Sequence, residues 1–277
     1  MNPMPDTTDR EATAPEATAL EATALAGLAV PAPASLRPSV LVEVGLADHY
    51  TRIDSPLGPL VVSWNGRGVS SVGQALDDAE FEVRHLATTG RRAFPGALPP
   101  RMATAIRRRL GGDRRVRLPL DLRGHSAFEQ DVWRKALDIP RGEVRPYGWV
   151  AAEIGRPRAV RAVGTALGHN PVPLIVPCHR VVRTDGSIGQ YSLGGPENKR
   201  TVLAAEGLDP DRMEDAARRG ERLLGCASTK IVCWPTCRTG RHMLERNRRP
   251  FRSLAEAGAA GYRPCKICRP VAAPLAA

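Results

Sequence analysis

Along the chain the apolar positions change period several times, and each change marks an element. Tyr50–Asp54, Leu60–Trp64 and Val69–Val72 are short β-prone runs, separated by Pro56-Leu57-Gly58 and Asn65-Gly66. Both separators are turn signals, so the pattern predicts a small antiparallel meander. Residues 75–100 carry no clear period. From Arg101 to Leu110 the period is helical, with Met102, Ile106 and Leu110 on one face and Arg107, Arg108 and Arg109 elsewhere. Ser126–Leu137 predicts a stronger helix: Ser126 and Glu129 stand at capping-box spacing, and Phe128, Val132, Ala136 and Leu137 form an apolar stripe. It ends at Ile139-Pro140-Arg141-Gly142. A further helix is expected from Tyr147 to Ile154, stopping at Gly155. Another starts at Pro157, a good first-turn residue, with Val160, Val163, Gly164 and Leu167 on one face. Two short helices around a glycine-containing turn predict a helix-turn-helix. Leu174–Val176 then reads as a short buried strand leading into Pro177-Cys178-His179-Arg180.

The flanks have a different texture. Glu-Ala-Thr-Ala recurs at 11–14, 16–19 and 21–24, followed by Pro31, Pro33 and Pro38. Without aromatics, residues 1–40 cannot offset their ordering entropy and are expected to form a disordered tail. Residues 209–225 are charged and read as a linker. The N-terminus has acids before bases and no compact apolar stretch, so a secretory signal is not expected. No run of 18 apolar residues occurs in the chain, so no membrane-spanning helix and no membrane partner are expected.

Charge narrows the partner. The 277 residues hold 40 Lys and Arg against 29 Asp and Glu, a formal charge of +11. That excess suggests a polyanion, nucleic acid before an acidic membrane surface. Residues 226–277 alone hold 10 Lys and Arg against 2 Asp and Glu, so +8 of the charge lies there.

The six cysteines are unevenly placed: Cys178 first, then Cys226, Cys233, Cys237, Cys265 and Cys268. Close pairs crowded at one end read as a metal site in a reducing cytoplasm rather than a disulfide framework. Cys233-x3-Cys237 and Cys265-x2-Cys268 have the ligand count and pair spacing of one structural Zn²⁺ site, which would replace much of the core that some 50 residues lack. Cys226 and His242 are left over. Cys178 stands alone. It is either a buried structural thiol or a nucleophile, and His179 and Arg180 beside it favour thiolate. Neighbours on a regular strand face opposite ways, so His179 would reach the sulfur only if Pro177 bends the chain or a water bridges them.

Phe128-Glu-Gln-Asp-Val-Trp133, Ile139-Pro-Arg-Gly142, Tyr147, Arg161-Ala-Val-Gly164, Asn170-Pro171, Pro177-Cys-His-Arg-Val181, Gly189-Gln-Tyr191 and Lys199 occur in order. This pattern resembles the O6-alkylguanine-DNA alkyltransferases, over roughly 50–207 and almost continuously within 124–207. The resemblance implies irreversible, single-turnover transfer of an alkyl group from O6-alkylguanine, or O4-alkylthymine, in double-stranded DNA to Cys178. Thiolate is the soft nucleophile such a displacement at carbon needs. The resemblance further implies that His179 takes the thiol proton through a water, Glu206 stabilises the imidazolium, Tyr147 protonates the departing guanine, and Asn170 braces the turn. The target base must be flipped out, and the resemblance puts Arg161 in the vacated space. Arg156 and Arg158 would contact phosphates, and Ala162, Gly164 and Ala166 would permit close approach. A non-catalytic lesion-binding protein and an alkylation-responsive regulator are the alternatives.

Ile231-Val-Cys-Trp-Pro-Thr-Cys237, Pro250-Phe251, Glu256-Ala257 and Ala260-Gly-Tyr-Arg-Pro-Cys-Lys-Ile-Cys268 resemble the zinc domain of the bacterial Ada protein, over about 227–270. The first cysteine of that set accepts methyl from a backbone phosphotriester, so the resemblance makes Cys233 a candidate second acceptor as well as a zinc ligand. A zinc-stabilised DNA-docking module is the alternative. Trp234 stands where that family usually has Arg, and no activator-type helix pair is fused to the unit. The expected fold is α/β: a sheet domain over 41–120, which the resemblance implies is ribonuclease-H-like, a winged-helix-like catalytic domain over 121–208, and a small four-cysteine zinc domain over 226–277. A monomer is expected.

Overall fold

The computed structural model describes residues 37–272, and most of the expected tail therefore lies outside the described residues. The tail's last positions are helical, in α1 (Arg37–Glu43). The meander follows as β1 (Asp48–Ile53), β2 (Leu60–Asn65) and β3 (Gly68–Gly73), paired antiparallel. Every residue of β2 is buried because both faces are covered. Leu60, Val62 and Trp64 join the main core, while Val61 packs with Tyr50, Phe81 and Ala93 on the opposite side, as strand alternation requires. The tight Asn65-Gly66 turn demands its glycine, since a Cβ at Gly66 would collide with the Glu43 carbonyl.

Two elements occupy the stretch where the sequence showed no period. Helix α2 (Asp78–Thr89) starts at Asp77, whose side chain accepts from the Glu80 amide, and β4 (Ala93–Pro95) pairs parallel with β1. The sheet order is β3-β2-β1-β4. Helix α2 was hidden because its buried positions are Phe81 and His85, and Val83 points to solvent. His85 is buried for a polar reason. Its Nε2 lies 2.9 Å from Oδ2 of the buried Asp48, which also accepts from Asn65 Nδ2 (2.7 Å), Ser70 Oγ (2.8 Å) and Arg91 Nε (2.7 Å). Burial alone would raise the Asp48 carboxyl, but the bonds from His85, Arg91 and Ser70 outweigh it and hold it at about 2, against 3.8 ordinarily. The unfolded chain therefore takes up this proton first as the pH falls. The stabilisation is complete above the unfolded value and is lost as pH falls through 2; it amounts to about 2 kcal/mol. Urea unfolding across the acid range should show that dependence, and Asp48→Asn should remove it.

Helix α3 (Pro100–Leu110) leads to α4 (Ala127–Ala136), where the Ser126–Glu129 capping box is fully formed. Val132, Trp133 and Ala136 are buried, and Trp133 Nε1 donates to the Ala166 carbonyl at 2.7 Å. Strand β5 (Arg145–Pro146) runs directly into α5 (Tyr147–Glu153). Gly155, at φ 73°, reverses the chain toward α6 (Val160–Gly168). The expected helix-turn-helix is there, but α6 begins at Val160, because residues 157–158 form a turn of their own. Leu174–Val176 is not a strand. Leu174 takes φ 69°, the Val176 amide donates to the Val172 carbonyl, and a 3-10 turn at Cys178–Arg180 follows. Strand β6 (Val181–Val182) then pairs parallel with β5.

Helix α7 (Gly195–Ala205) is followed by α8 (Pro210–Arg218), and this corrects the expected linker. Met213 packs on Val144, Val182, Ile188 and Leu203, and Glu214 Oε1 accepts from the Ile188 amide at 2.9 Å. The segment's charges gave it the texture of a linker, but its few inward positions tie it down. The second sheet starts before residue 226, with β7 (Leu223–Cys226), β8 (Ile231–Cys233), β9 (Arg248–Phe251) and β10 (Arg263–Pro264) in the order β10-β8-β7-β9. Helices α9 (Arg238–Arg241) and α10 (Leu254–Ala259) complete the module. Its core, with Leu223, Val232, Trp234, Phe251 and Tyr262, is continuous with that of the preceding helices. The architecture is the expected α/β class, with a sheet domain, a helical domain and a cysteine-rich module.

Candidate functional site

Cys178 lies on the 3-10 turn, 4% exposed. Asn170 builds this turn. Its Oδ1 accepts from the Val172 amide (3.1 Å), while its Nδ2 donates to the Val176 carbonyl (3.0 Å) and to Cys178 Sγ (3.1 Å). One amide thus fixes both ends of the loop and touches the sulfur. Burial pushes the Cys178 thiol up, against smaller opposing effects from the Asn170 bond, the Lys199 charge and Ser192. The thiol is therefore protonated at rest. The expectation that His179 and Arg180 would favour thiolate does not hold at rest, because His179 is neutral and the Arg180 guanidinium is committed to Glu206.

His179 is 1% exposed, and its Nε2 lies 3.0 Å from Glu206 Oε1. Facing a carboxylate, Nε2 carries the proton, which leaves Nδ1 as a lone pair, and Nδ1 has no partner among the described residues. Burial pulls His179 below its ordinary value despite Glu206, so the imidazole is neutral and basic at pH 7. Glu206 sits at the C-cap of α7 and also accepts from Arg180 Nε and the Gly142 amide. Burial alone would raise its carboxyl, but His179 and Arg180 hold it well below the usual carboxylate range. Arg180 further donates to the Ile139 carbonyl at 2.7 Å. Sequence reasoning missed Arg180 as the second partner of Glu206, which lies 26 residues away.

A pocket of about 210 Å³ opens onto the sulfur, lined by Tyr147, Gly164, Leu167, Cys178, Tyr191 and Ser192 among others. That volume suits one heterocyclic base rather than a drug-sized ligand. Burial, then the nearby Cys178, raises the Tyr147 phenol, so it stays a proton donor. Gly164 lines the pocket with nothing within 4 Å of a Cβ built on it, so its smallness leaves room for a partner rather than serving internal packing. Ala166 does not share that role, since it faces the core at 2% exposure. Arg161, Arg156 and Arg158 are all exposed at the start of α6 and in the turn before it. Lys199 is fully buried. Its Nζ donates to the Val181 and Gln190 carbonyls (2.6 and 3.2 Å), and burial lowers it to about 8. A larger cleft of about 650 Å³ adjoins at Gly168 and Ser192, but its arginines are committed, Arg84 to Glu80, Arg91 to Asp48 and Arg123 to Asp121.

In the C-terminal module the Sγ atoms of Cys233, Cys237, Cys265 and Cys268 lie within 4.8 Å of one another, all buried. The Trp234 amide donates to Cys268 Sγ at 3.4 Å. Tetrahedral zinc at about 2.3 Å from each sulfur sets the sulfurs roughly 3.8 Å apart, so the donor set fits Zn²⁺. Four sulfurs so close could not all ionise without a cation, and Zn²⁺ supplies one. Cys226 and His242 lie outside the set. Cys226 is half-buried, and its thiol is lowered to about 7 by Ser228 and Thr229. Cys233 is 1% exposed, and the residues after it pack on the catalytic domain, so a phosphotriester would reach it only if this loop lifted.

Residues 127–208 match the family described as 6-O-methylguanine DNA methyltransferase, DNA binding domain, and residues 212–271 match the metal binding domain of Ada. A methylated-DNA–protein-cysteine methyltransferase of Mycobacterium tuberculosis is 41% identical over 158 residues, covering 57% of this chain and 92% of the relative. The Rattus norvegicus protein of the same name is 35% identical, covering 64% and 88%. A crystal structure of Mycobacterium tuberculosis OGT in complex with DNA is 38% identical over 57% of this chain and 93% of that one, with a TM-score of 0.46.

Proposed function

The chain belongs to the methylated-DNA–protein-cysteine methyltransferases, and from that premise we propose that Cys178 is the alkyl acceptor in a single-use repair of O6-alkylguanine in duplex DNA. The observation that carries the reading is a thiol braced by Asn170 and opening on a base-sized pocket, followed in the chain by a neutral histidine whose Nδ1 has no partner among the described residues.

The residues account for each proton. His179 Nδ1 accepts the thiol proton through a water, and Glu206 stabilises the imidazolium through Nε2. Arg180 holds Glu206 in place, so the carboxylate does not take the proton itself. The thiolate attacks the alkyl carbon, a C–S bond forms and the C–O bond to guanine breaks. Tyr147 donates its phenolic proton to the departing guanine and is reprotonated by the proton that left Cys178. The net result is a thioether on Cys178 and unmodified guanine. A thioether is not hydrolysed under these conditions, so the protein acts once.

Access requires the base to leave the stack. Arg161 would fill the gap, with Arg156 and Arg158 on phosphates, a division supported by the exposure of all three at the start of α6 and in the turn before it. The basic C-terminal module adds DNA affinity. Cys233, Cys237, Cys265 and Cys268 would hold Zn²⁺, which would offset half the charge of the four thiolates and cross-link the module. Close-paired reduced cysteines support a cytoplasmic location.

The test is peptide mapping by mass after incubation with duplexes carrying either O6-methylguanine or a methyl phosphotriester. The first should add one methyl group to the Cys178 peptide. Folded protein that gains none would favour the lesion-binding alternative. The second should leave Cys233 unmodified, given its burial.

A further inference from the structure

We propose that Thr236, inside the cysteine knuckle of the metal module, is a positioning residue for alkyl transfer at Cys178. The inference rests on the reading of Cys178 given above. Thr236 lies between two metal ligands, three residues after Cys233 and directly before Cys237, so the metal site fixes its backbone. Its hydroxyl accepts from the Val144 amide (2.8 Å) and donates back to the Val144 carbonyl (3.4 Å). One side chain thus does for Val144 what a neighbouring strand would do. The adjoining Arg238 amide donates to Oε1 of the buried Glu143 (3.3 Å), whose other oxygen takes the Arg145 guanidinium. Arg145 in turn donates to the Val144 carbonyl (2.8 Å). A buried ion pair is costly unless its remaining bonds are satisfied, and here the knuckle satisfies one of them.

What these contacts hold is the frame of the acceptor site. Val144 leads directly into β5, whose Arg145 and Pro146 pair with Val181 and Val182 of β6. The Val181 amide closes the 3-10 turn on the Cys178 carbonyl, and Tyr147 follows Pro146 in the chain. The ladder therefore carries the proton donor at one end of β5 and the acceptor turn at the start of β6. Thr236 braces the start of β5, the end beside the acceptor turn, and the strand carries that placement on to Tyr147. Displacing reacting groups by about 1 Å costs rate rather than binding, of order a hundredfold in the worst case. The module would thus tune transfer without touching the base.

The test uses the full-length, zinc-loaded chain. Thr236→Val removes both bonds at similar volume, and Thr236→Ser keeps the hydroxyl. Four quantities are read: the single-turnover rate at saturating O6-methylguanine duplex, duplex affinity, zinc stoichiometry, and hydrogen exchange at the Val144 and Val181 amides. For Thr236→Val the rate should fall about tenfold. Affinity and zinc should be unchanged, and both amides should exchange faster. Thr236→Ser should restore the rate. A parental rate in Thr236→Val, loss of zinc with the rate, or failure of the serine rescue would each overturn the proposal. A parental chain that forms no thioether on Cys178 would overturn the repair reading and this inference together, whereas normal parental transfer isolates the inference.

Discussion

A Cys178→Ala protein is expected to form no thioether and to hold O6-methylguanine duplex as tightly as the parent. The sulfur supplies the nucleophile, while the exposed Arg156, Arg158 and Arg161 that would meet DNA are untouched. Removing one buried sulfur leaves Asn170 Nδ2 bonded to the Val176 carbonyl, so the turn keeps its brace. The cost in stability should be about 1 kcal/mol. Cys178→Ser is the stricter comparison, because it preserves shape and a donor but puts a far weaker nucleophile in the pocket. It too should show no transfer. Intact mass reports the alkyl group, and gel mobility with labelled duplex reports binding. Mapping to the residue matters, because Cys226 is the more readily ionised thiol, half-buried and lowered to about 7. Alkyl groups found on Cys226 in the Cys178→Ala protein would mean that ionisation, not geometry, selects the acceptor. The structure favours the opposite: a thiol protonated at rest and activated only in place.

What could be read from the sequence was whatever is local. The β1–β3 meander, the Ser126 capping box and the paired cysteines each depend on neighbours a few residues apart, and all three stand where the spacing put them. The failures share another cause. Helix α2 turns Phe81 and His85 inward, and no periodicity reveals that His85 is buried to serve Asp48, 37 residues away. Leu174–Val176 is apolar enough for a strand, but Pro173 and Pro177 bracket it and the Asn170 side chain supplies the bonds a ladder would have made. The charges of 209–225 suggested solvation until Met213 and Glu214 met Ile188 across the fold. Arg180 looked like a cation for Cys178 because the two are close in sequence. Its guanidinium instead answers Glu206, a partner no spacing rule assigns. In the site, residue identities came from the resemblance, whereas the direction each group faces came only from the structure.

A Cys268→Ser protein should lose its zinc and, with it, the fold of the C-terminal sheet. Cys268 is fully buried, and its sulfur accepts the Trp234 amide as well as belonging to the donor set. The apolar core it would leave is small. Strands β7 to β10 contribute few inward side chains, chiefly Leu223, Val232 and Phe251, with Trp234, Ala257 and Tyr262 around them. A core of this size supplies only a few kcal/mol, against about 10–16 kcal/mol of apparent binding energy from a structural zinc. Hydrogen exchange should therefore show protection lost across β7, β8, β9 and β10, while β1–β3 and α4 retain it, since their bonds do not depend on the metal. Zinc released into a chromophoric chelator should fall to background in the same preparation. Protection that survived in β8 and β10 without zinc would reverse this conclusion: the edge-on packing of Phe251 against Tyr262, with ring centroids 4.8 Å apart, would then be enough to fold the module. The four cysteines would then need a chemical rather than a structural reason for sitting together, and the buried Cys233 would be the first place to look for it.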